Sequence, residues 1–163
     1  MSIRRRYHLR KASIKQLSSD LVKRFGKEAP EVLMGAVELL KLEDGREVIL
    51  ADGKPFLLKT LDGLFPTLTS IDQIPLKHVT INMGAVPHVV ARADIMAPGV
   101  VAADEDIAPG DGVVIVDERH CKPIAIGLAL VGSASMKAPK GRVVKNIHCV
   151  GDEVWQLSST RKG

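Results

Sequence analysis

Two neighbouring pairs, His120-Cys121 and His148-Cys149, are the first places in this sequence where ligand chemistry could reside. Their spacing argues against a shared metal ion, because adjacent side chains on a strand point to opposite faces. No CxxC or HExxH accompanies them, and zinc sites usually show tighter spacing. A disulfide between Cys121 and Cys149 would be unusual in a mesophile's cytosol and tolerated in a thermophile's. Asp104-Glu105-Asp106 offers carboxylates for general acid and base work. Three consecutive acids near Pro109-Gly110 read instead as a solvated loop. His88 and His148 could each take a proton, yet no nucleophile or orienting group stands at a telling spacing from either. Gly53-Lys54 lacks the upstream glycine and following hydroxyl of a phosphate-binding loop. There is no GxGxxG between strand and helix, and no GxSxG elbow. The expectation is a protein without catalytic residues, metal or cofactor.

Charge points elsewhere. The net charge of +4 conceals an uneven distribution. Residues 1–27 hold nine Lys and Arg against Asp20 alone, and the rest of the chain carries a surplus of acids. Ala93 to Glu118 contains seven acids and no base, whereas Met136 to His148 contains Lys137, Lys140, Arg142 and Lys145 and no acid. Basic segments attract polyanions and release their counterions, so nucleic acid is the first partner to consider. Arg4, Arg5, Arg6, Arg10, Lys11 and Lys15 form one candidate basic surface.

The elements that must position these groups follow from patterning. With 163 residues, 45% of them hydrophobic and only 3% aromatic, the chain suits one ordinary domain or two small ones with aliphatic cores. No apolar run approaches the ~20 residues that span a bilayer. The basic N-terminus is not followed by the apolar stretch of a secretory signal, so a cytoplasmic location is expected, with no membrane partner. Tyr7–Arg10 reads as extended, and Ser13 as the N-cap of a helix to about Phe25. Its apolar face would be Ile14, Leu17, Leu21, Val22 and Phe25, with Gly26 as the stop. Strands are predicted at Val37–Leu42, Val48–Leu50 and Pro55–Lys59, joined by Glu43-Asp44-Gly45 and Asp52-Gly53. Leu64 to Leu68 reads as a connector. From His78 the pattern changes. Val79–Asn82 reads as a strand, followed by a helix with Pro87 in its first turn and Val86, Val89, Val90 and Ala93 on one face. Apolar runs at Ile95–Val101, Val113–Val116, Ile124–Val131, Val143–Ile147 and Val154–Leu157 suggest the strands of a small mixed barrel.

A specific signal lies in an ordered set of short motifs. They are Asn82-Met83-Gly84-Ala85, then Arg92-Ala93-Asp94-Ile95-Met96-Ala97-Pro98-Gly99-Val100, then Ile107 to Val116 with Gly110-Asp111, and Ile124 to Ala129 with Gly127. The set ends with Gly141, Asn146-Ile147-His148 and Asp152 to Trp155. In order and spacing this resembles the PUA domain, a small RNA-binding barrel. The first half resembles the pre-PUA module of the malignant T-cell amplified sequence and translation machinery-associated proteins, whose archaeal relatives share the two-module layout. Phe65-Pro66-Thr67-Leu68 resembles that family's Y-P-T-L connector. Lys140-Gly141, Asn146-Ile147-His148 and Trp155 resemble its K-G, N-I-H and W ending. One departure is that the family motif often begins with an acid and a lysine, where this chain has Asn82-Met83.

The resemblance implies an α+β chain. A small α/β pre-PUA module over 1–77 would precede a PUA pseudo-barrel of mixed strands with one main helix over 78–157, and 158–163 would be a flexible tail. It implies RNA contacts at Gly84, Ala85, His88 and Arg92 on the helix side and at Ala97, Pro98 and Gly99 on the adjacent strand, extended by Lys140, Arg142 and Lys145. A Gly-Ala at the helix start would let a phosphate approach the peptide N–H groups and the positive end of the helix dipole. The expected function is non-enzymatic RNA binding in translation, on the small ribosomal subunit or a tRNA during initiation or recycling. The partners would be structured RNA (tRNA or ribosomal RNA) and a protein with an initiation-factor-like domain. The alternatives are an RNA-modification accessory protein and a protein-interaction adaptor with a PUA-like fold.

Overall fold

Among the described residues two β-sheets organise the chain, with five strands in its first half and six in its second. The computed structural model describes residues 3–26 and 35–159. These form two units, one running to Ile74 and resuming at Gln156, the other Pro75–Trp155. The architecture is α+β.

In the first unit β1 (Ile3–His8) leads to α1 (Lys11–Phe25), and β2 (Val37–Leu42), β3 (Glu47–Ala51), β4 (Lys54–Thr60) and β5 (Gly63–Pro66) follow. The strands pair antiparallel in sequence order. Asp52 and Gly53 both have positive φ, 49° and 81°, as a two-residue hairpin turn with the right-handed twist of its strands requires. Ser13 does not cap α1. The helix starts two residues earlier, flanked by extended Arg10 without a side-chain cap, whose carbonyl accepts from the Ile14 N–H at 3.0 Å. Leu17 and Leu21 are buried against the sheet with Ile14 and Phe25 beside them. Val22 is 46% exposed, because one step past Leu21 is a rotation of about 100° off the apolar stripe. Gly26 ends the helix in the left-handed conformation, its N–H on the Val22 carbonyl. The expected connector is in part a fifth strand. Leu64 and Phe65 bury their side chains, and Pro66, which has no N–H to give, is tolerated because β5 lies at the sheet edge. The Thr67 and Ser70 hydroxyls then donate to the Pro55 and Phe56 carbonyls at 3.0 and 2.6 Å, which fixes the residues after the strand.

The second unit contains β6 (Lys77–Ile81), α2 (Val86–Val90), β7 (Ile95–Met96), β8 (Val100–Ala103), β9 (Gly112–Asp117), β10 (Pro123–Ala129), β11 (Arg142–Cys149) and the first residues of α3 (Glu153–Ser159). The sheet order is β7-β11-β10-β9-β6-β8, with β6 and β9 parallel. Its two end strands are therefore β7 and β8, and only the 3-10 turn Ala97–Gly99 separates them in sequence. A sheet whose opposite ends are joined by three residues must curl into a barrel. Val79, Ile81, Val113, Ile115, Ala125, Met136 and Val144 fill its core. The expected continuous run Ile95–Val101 is thus broken, because it turns the barrel's corner. Gly127 lies where β10 slips register against β11. A Cβ there would collide with Val144 Cγ1 and lie 2.9 Å from the Lys145 carbonyl.

Two further differences are local. Pro87 does sit in the first turn of α2, but the helix is only five residues long. Arg92 follows with φ +78°, and Ala93 falls outside the helical face. Val154–Leu157 is helical, not extended. Asp152, 4% exposed, accepts from the Trp155 N–H at 2.8 Å, an N-cap bond that starts α3. α3 reaches Ser159; residues 160–163 of the expected tail lie outside the described residues. Asp152 also binds the Cys149 N–H at 2.9 Å and His148 Nδ1 at 2.8 Å. Burial pushes its carboxyl up, but the His148 ring and the two N–H groups outweigh that and hold it below the ordinary Asp range.

Two stability predictions follow from these contacts. Gly127→Ala should lower the unfolding free energy by about 1–3 kcal/mol through overpacking, measured by urea denaturation; an unchanged midpoint contradicts the collision. Asp152→Asn should cost about 1–3 kcal/mol at pH 7. Because the folded carboxyl titrates below its unfolded value near 3.9, its contribution is complete above about pH 4 and lost as pH falls through the folded value. Melts between pH 7 and 3 should therefore fall more steeply for the native protein than for the variant.

Candidate nucleic-acid interface

The closing turn and α2 enclose a groove of 320 Å³ lined by Ala85, His88, Val89, Ala93, Asp94, Ile95, Met96 and Gly99. Small residues create it. A Cβ on Gly99 would stand 3.0 Å from the Ala85 Cβ, so the two walls approach closely at their base. Three of the ten expected contact residues, Ala85, His88 and Gly99, line this groove, and Gly84 and Pro98 are in or next to its walls in sequence and exposed. Ala97 is different. It is 2% exposed, and its N–H is taken by the Gly141 carbonyl at 2.8 Å, so it serves the closure and presents no side chain to a ligand. The Gly99 carbonyl accepts from the Asn82 N–H at 2.9 Å, which pins the other end of the turn.

The amides at the start of α2 are not the open anion cradle expected from Gly84-Ala85. Asn82 Oδ1 takes the Ala85 N–H at 2.9 Å, and Glu118 takes the Met83 N–H at 2.8 Å. The Val86 and His88 N–H groups bond to the Met83 and Ala85 carbonyls. A five-residue helix also carries little macrodipole. What the groove offers is shape: an apolar wall from Val89, Ile95 and the half-exposed Met96, with the His88 ring at its side.

Of the expected cations, the two arginines are held in ion pairs. Arg92 meets Glu153 Oε1 at 2.6 Å, and Arg142 meets Asp94 Oδ2 at 2.9 Å. Lys140 is exposed and Lys145 half-buried. Asn146 explains its place in the N-I-H motif. Its side-chain amide donates to the Val89 and Ala93 carbonyls at 3.0 and 2.9 Å, tying down the backbone where α2 ends. Its own N–H goes to Asp94 Oδ1 at 2.8 Å. Asp94, Met96, Glu118 and Glu153 were absent from the expected site; Asp94 and Met96 stand inside the motif stretch, but only the fold turns them toward the groove.

In the first unit Arg4, Arg5, Arg10, Lys11 and Lys15 are exposed on β1 and the start of α1, and β1 is a sheet edge. Arg6 is held by Glu38 through two bonds of 2.7 and 3.3 Å. The two His-Cys pairs lie in opposite environments. His120 and Cys121 are exposed in the turn after β9, whose amides the Asp117 carboxylate gathers, which lowers its pKa. His148 and Cys149 are buried, and burial pushes the Cys149 thiol up to about 11. Both cysteines are free thiols. Among the described residues no three His, Cys, Asp or Glu side chains converge as a metal site, and no helix is long and apolar enough to cross a membrane.

Comparison with known proteins now adds the lineage. The family model of the PUA domain matches residues 77–150. An uncharacterized protein of Methanocaldococcus jannaschii is 41% identical, covering 96% of this chain and 99% of its own. Translation machinery-associated protein 20 of Saccharomyces cerevisiae is 32% identical over 75% of this chain and 72% of its own. The crystal structure of a hypothetical protein from Pyrococcus horikoshii superposes with a TM-score of 0.76 at 32% identity, covering 94% of this chain and 99% of that one. The chain belongs to the family of PUA-domain proteins that includes translation machinery-associated protein 20 and the malignant T-cell-amplified sequences.

Proposed function

We propose that this protein binds structured RNA without altering it and acts in translation in the cytoplasm. In this reading it engages a tRNA or small-subunit ribosomal RNA during initiation or recycling. The groove between α2 and the closing turn carries the proposal. It is a preformed, shape-defined recess beside exposed His88 and Pro98, in a barrel whose family is named for RNA work. Module 78–157 supplies shape recognition, and module 1–77 supplies the surplus positive charge on β1 and α1. No Phe, Tyr or Trp lines the groove, which leaves the His88 ring as its stacking surface, so stacking of unpaired bases contributes little. Contacts to backbone and 2′-hydroxyl groups dominate instead.

Filter binding with bulk tRNA tests this. Affinity should fall by about tenfold to a hundredfold between about 50 and 200 mM KCl if some three phosphates are contacted. Arg92→Glu should weaken binding by about three- to tenfold, as should reversing Arg4, Arg5 and Arg6 together. Failure to retain tRNA or ribosomal RNA fragments at low salt contradicts the proposal and favours a protein-interaction adaptor.

A further inference from the structure

On the barrel, three donors that a phosphate would seek around the groove are occupied by carboxylates of the chain itself. Glu153 Oε1 lies 2.6 Å from Arg92 Nη1, Asp94 Oδ2 lies 2.9 Å from Arg142 Nη1, and Glu118 Oε2 accepts the Met83 N–H at 2.8 Å. We infer that these acids, Glu153 foremost, act as internal phosphate mimics: they suppress indiscriminate RNA binding and yield only to an RNA that also fits the groove. The inference rests on the RNA-binding reading above and names what makes that site selective.

The geometry separates a latch from a stabilising ion pair. Arg92 is 58% exposed and Glu153 24%, and for Arg142 and Asp94 the values are 56% and 27%. Exposed pairs of this kind resist opening by no more than about fivefold, so they add little to the fold but exchange readily. A carboxylate and a phosphate offer a guanidinium the same acceptor geometry, so Arg92 can pass from Glu153 to RNA without being stripped of partners. The charge balance agrees. Residues 75–155 hold eight basic and nine acidic side chains, so this unit has no net positive charge to draw in RNA of arbitrary sequence and shape. Selectivity then lies in the difference between two affinities, with a repulsive element set against the wrong partner. Glu153 is the handle taken for the test. Asp94 also holds the Asn146 N–H at 2.8 Å, and its loss would disturb the fold.

The test is a double-mutant cycle in the full-length protein, read by fluorescence anisotropy with bulk tRNA and with a blunt RNA duplex of arbitrary sequence. Glu153→Gln should tighten duplex binding by about three- to tenfold at low salt. It should also steepen the salt dependence by about one phosphate contact. The gain for tRNA should be smaller, so the preference for tRNA falls. In an Arg92→Gln background the Glu153→Gln gain should vanish. Glu105→Gln, an equal change of charge on the exposed 104–106 loop, should raise duplex binding by less than about twofold. The latch is overturned if Glu153→Gln leaves duplex binding unchanged, or matches Glu105→Gln, while the native protein still binds tRNA. Failure of native protein and all variants to bind either RNA overturns the RNA-binding reading itself, and the latch with it.

Discussion

Three residues join the two ends of a six-stranded sheet, and the second unit is organised around that constraint. Ala97-Pro98-Gly99 must turn the chain from β7 to β8 without room for side chains on its inner side. Ala97 is buried, and Gly99 sits against Ala85. Both ends of the turn are pinned by backbone bonds, Ala97 N–H to Gly141 and Gly99 carbonyl to Asn82. Because the small residues that permit closure leave a recess against α2, the groove is a product of the same geometry. A barrel closed in this way holds that recess at fixed width, which a shape-reading site needs before any ligand arrives.

A second chain of contacts sets the electrostatics of that face. The buried His148-Asp152 pair lies at the end of β11, and Asp152 starts α3 by capping it. The first residue of α3 is Glu153, which is thereby held against Arg92. Arg92 in turn adopts positive φ where α2 ends, a conformation that an L-residue takes at some energetic cost. Asn146 and Asp94 tie the same helix end to β11. Barrel core, capping carboxylate and surface arginine thus form one connected path.

Much of this was legible in the sequence. Asp52-Gly53, Gly26 and Pro87 announce their turns through backbone chemistry that few other residues satisfy. The Val- and Ile-rich runs of β9, β10 and β11 declare themselves because both helix and loop would waste them. Gly127 could be read as a strand glycine, though not that Val144 demands it. Elsewhere local signals were outvoted. Leu64-Phe65-Pro66 looks like a connector because proline disfavours strands, yet an edge position removes the objection. Val154–Leu157 has the composition of a strand, yet Asp152, held by His148 four positions earlier, caps it into a helix. The site residues divide similarly. Gly84, Ala85 and Gly99 stand in motifs and His88 lies between two of them, whereas the partners of Arg92 and Arg142 are 61 and 48 positions away, and no periodicity encodes such pairing.

The proposed function seats RNA in the recess between α2 and the closing turn. A nuclear magnetic resonance titration with bulk tRNA tests it most directly, following the Met96 methyl group and the backbone amides of His88 and Gly99. With RNA in the recess, these signals shift or broaden at the lowest RNA ratios, ahead of those from the 104–106 loop. If they stay unchanged while signals elsewhere on the barrel move, the recess is not the RNA site.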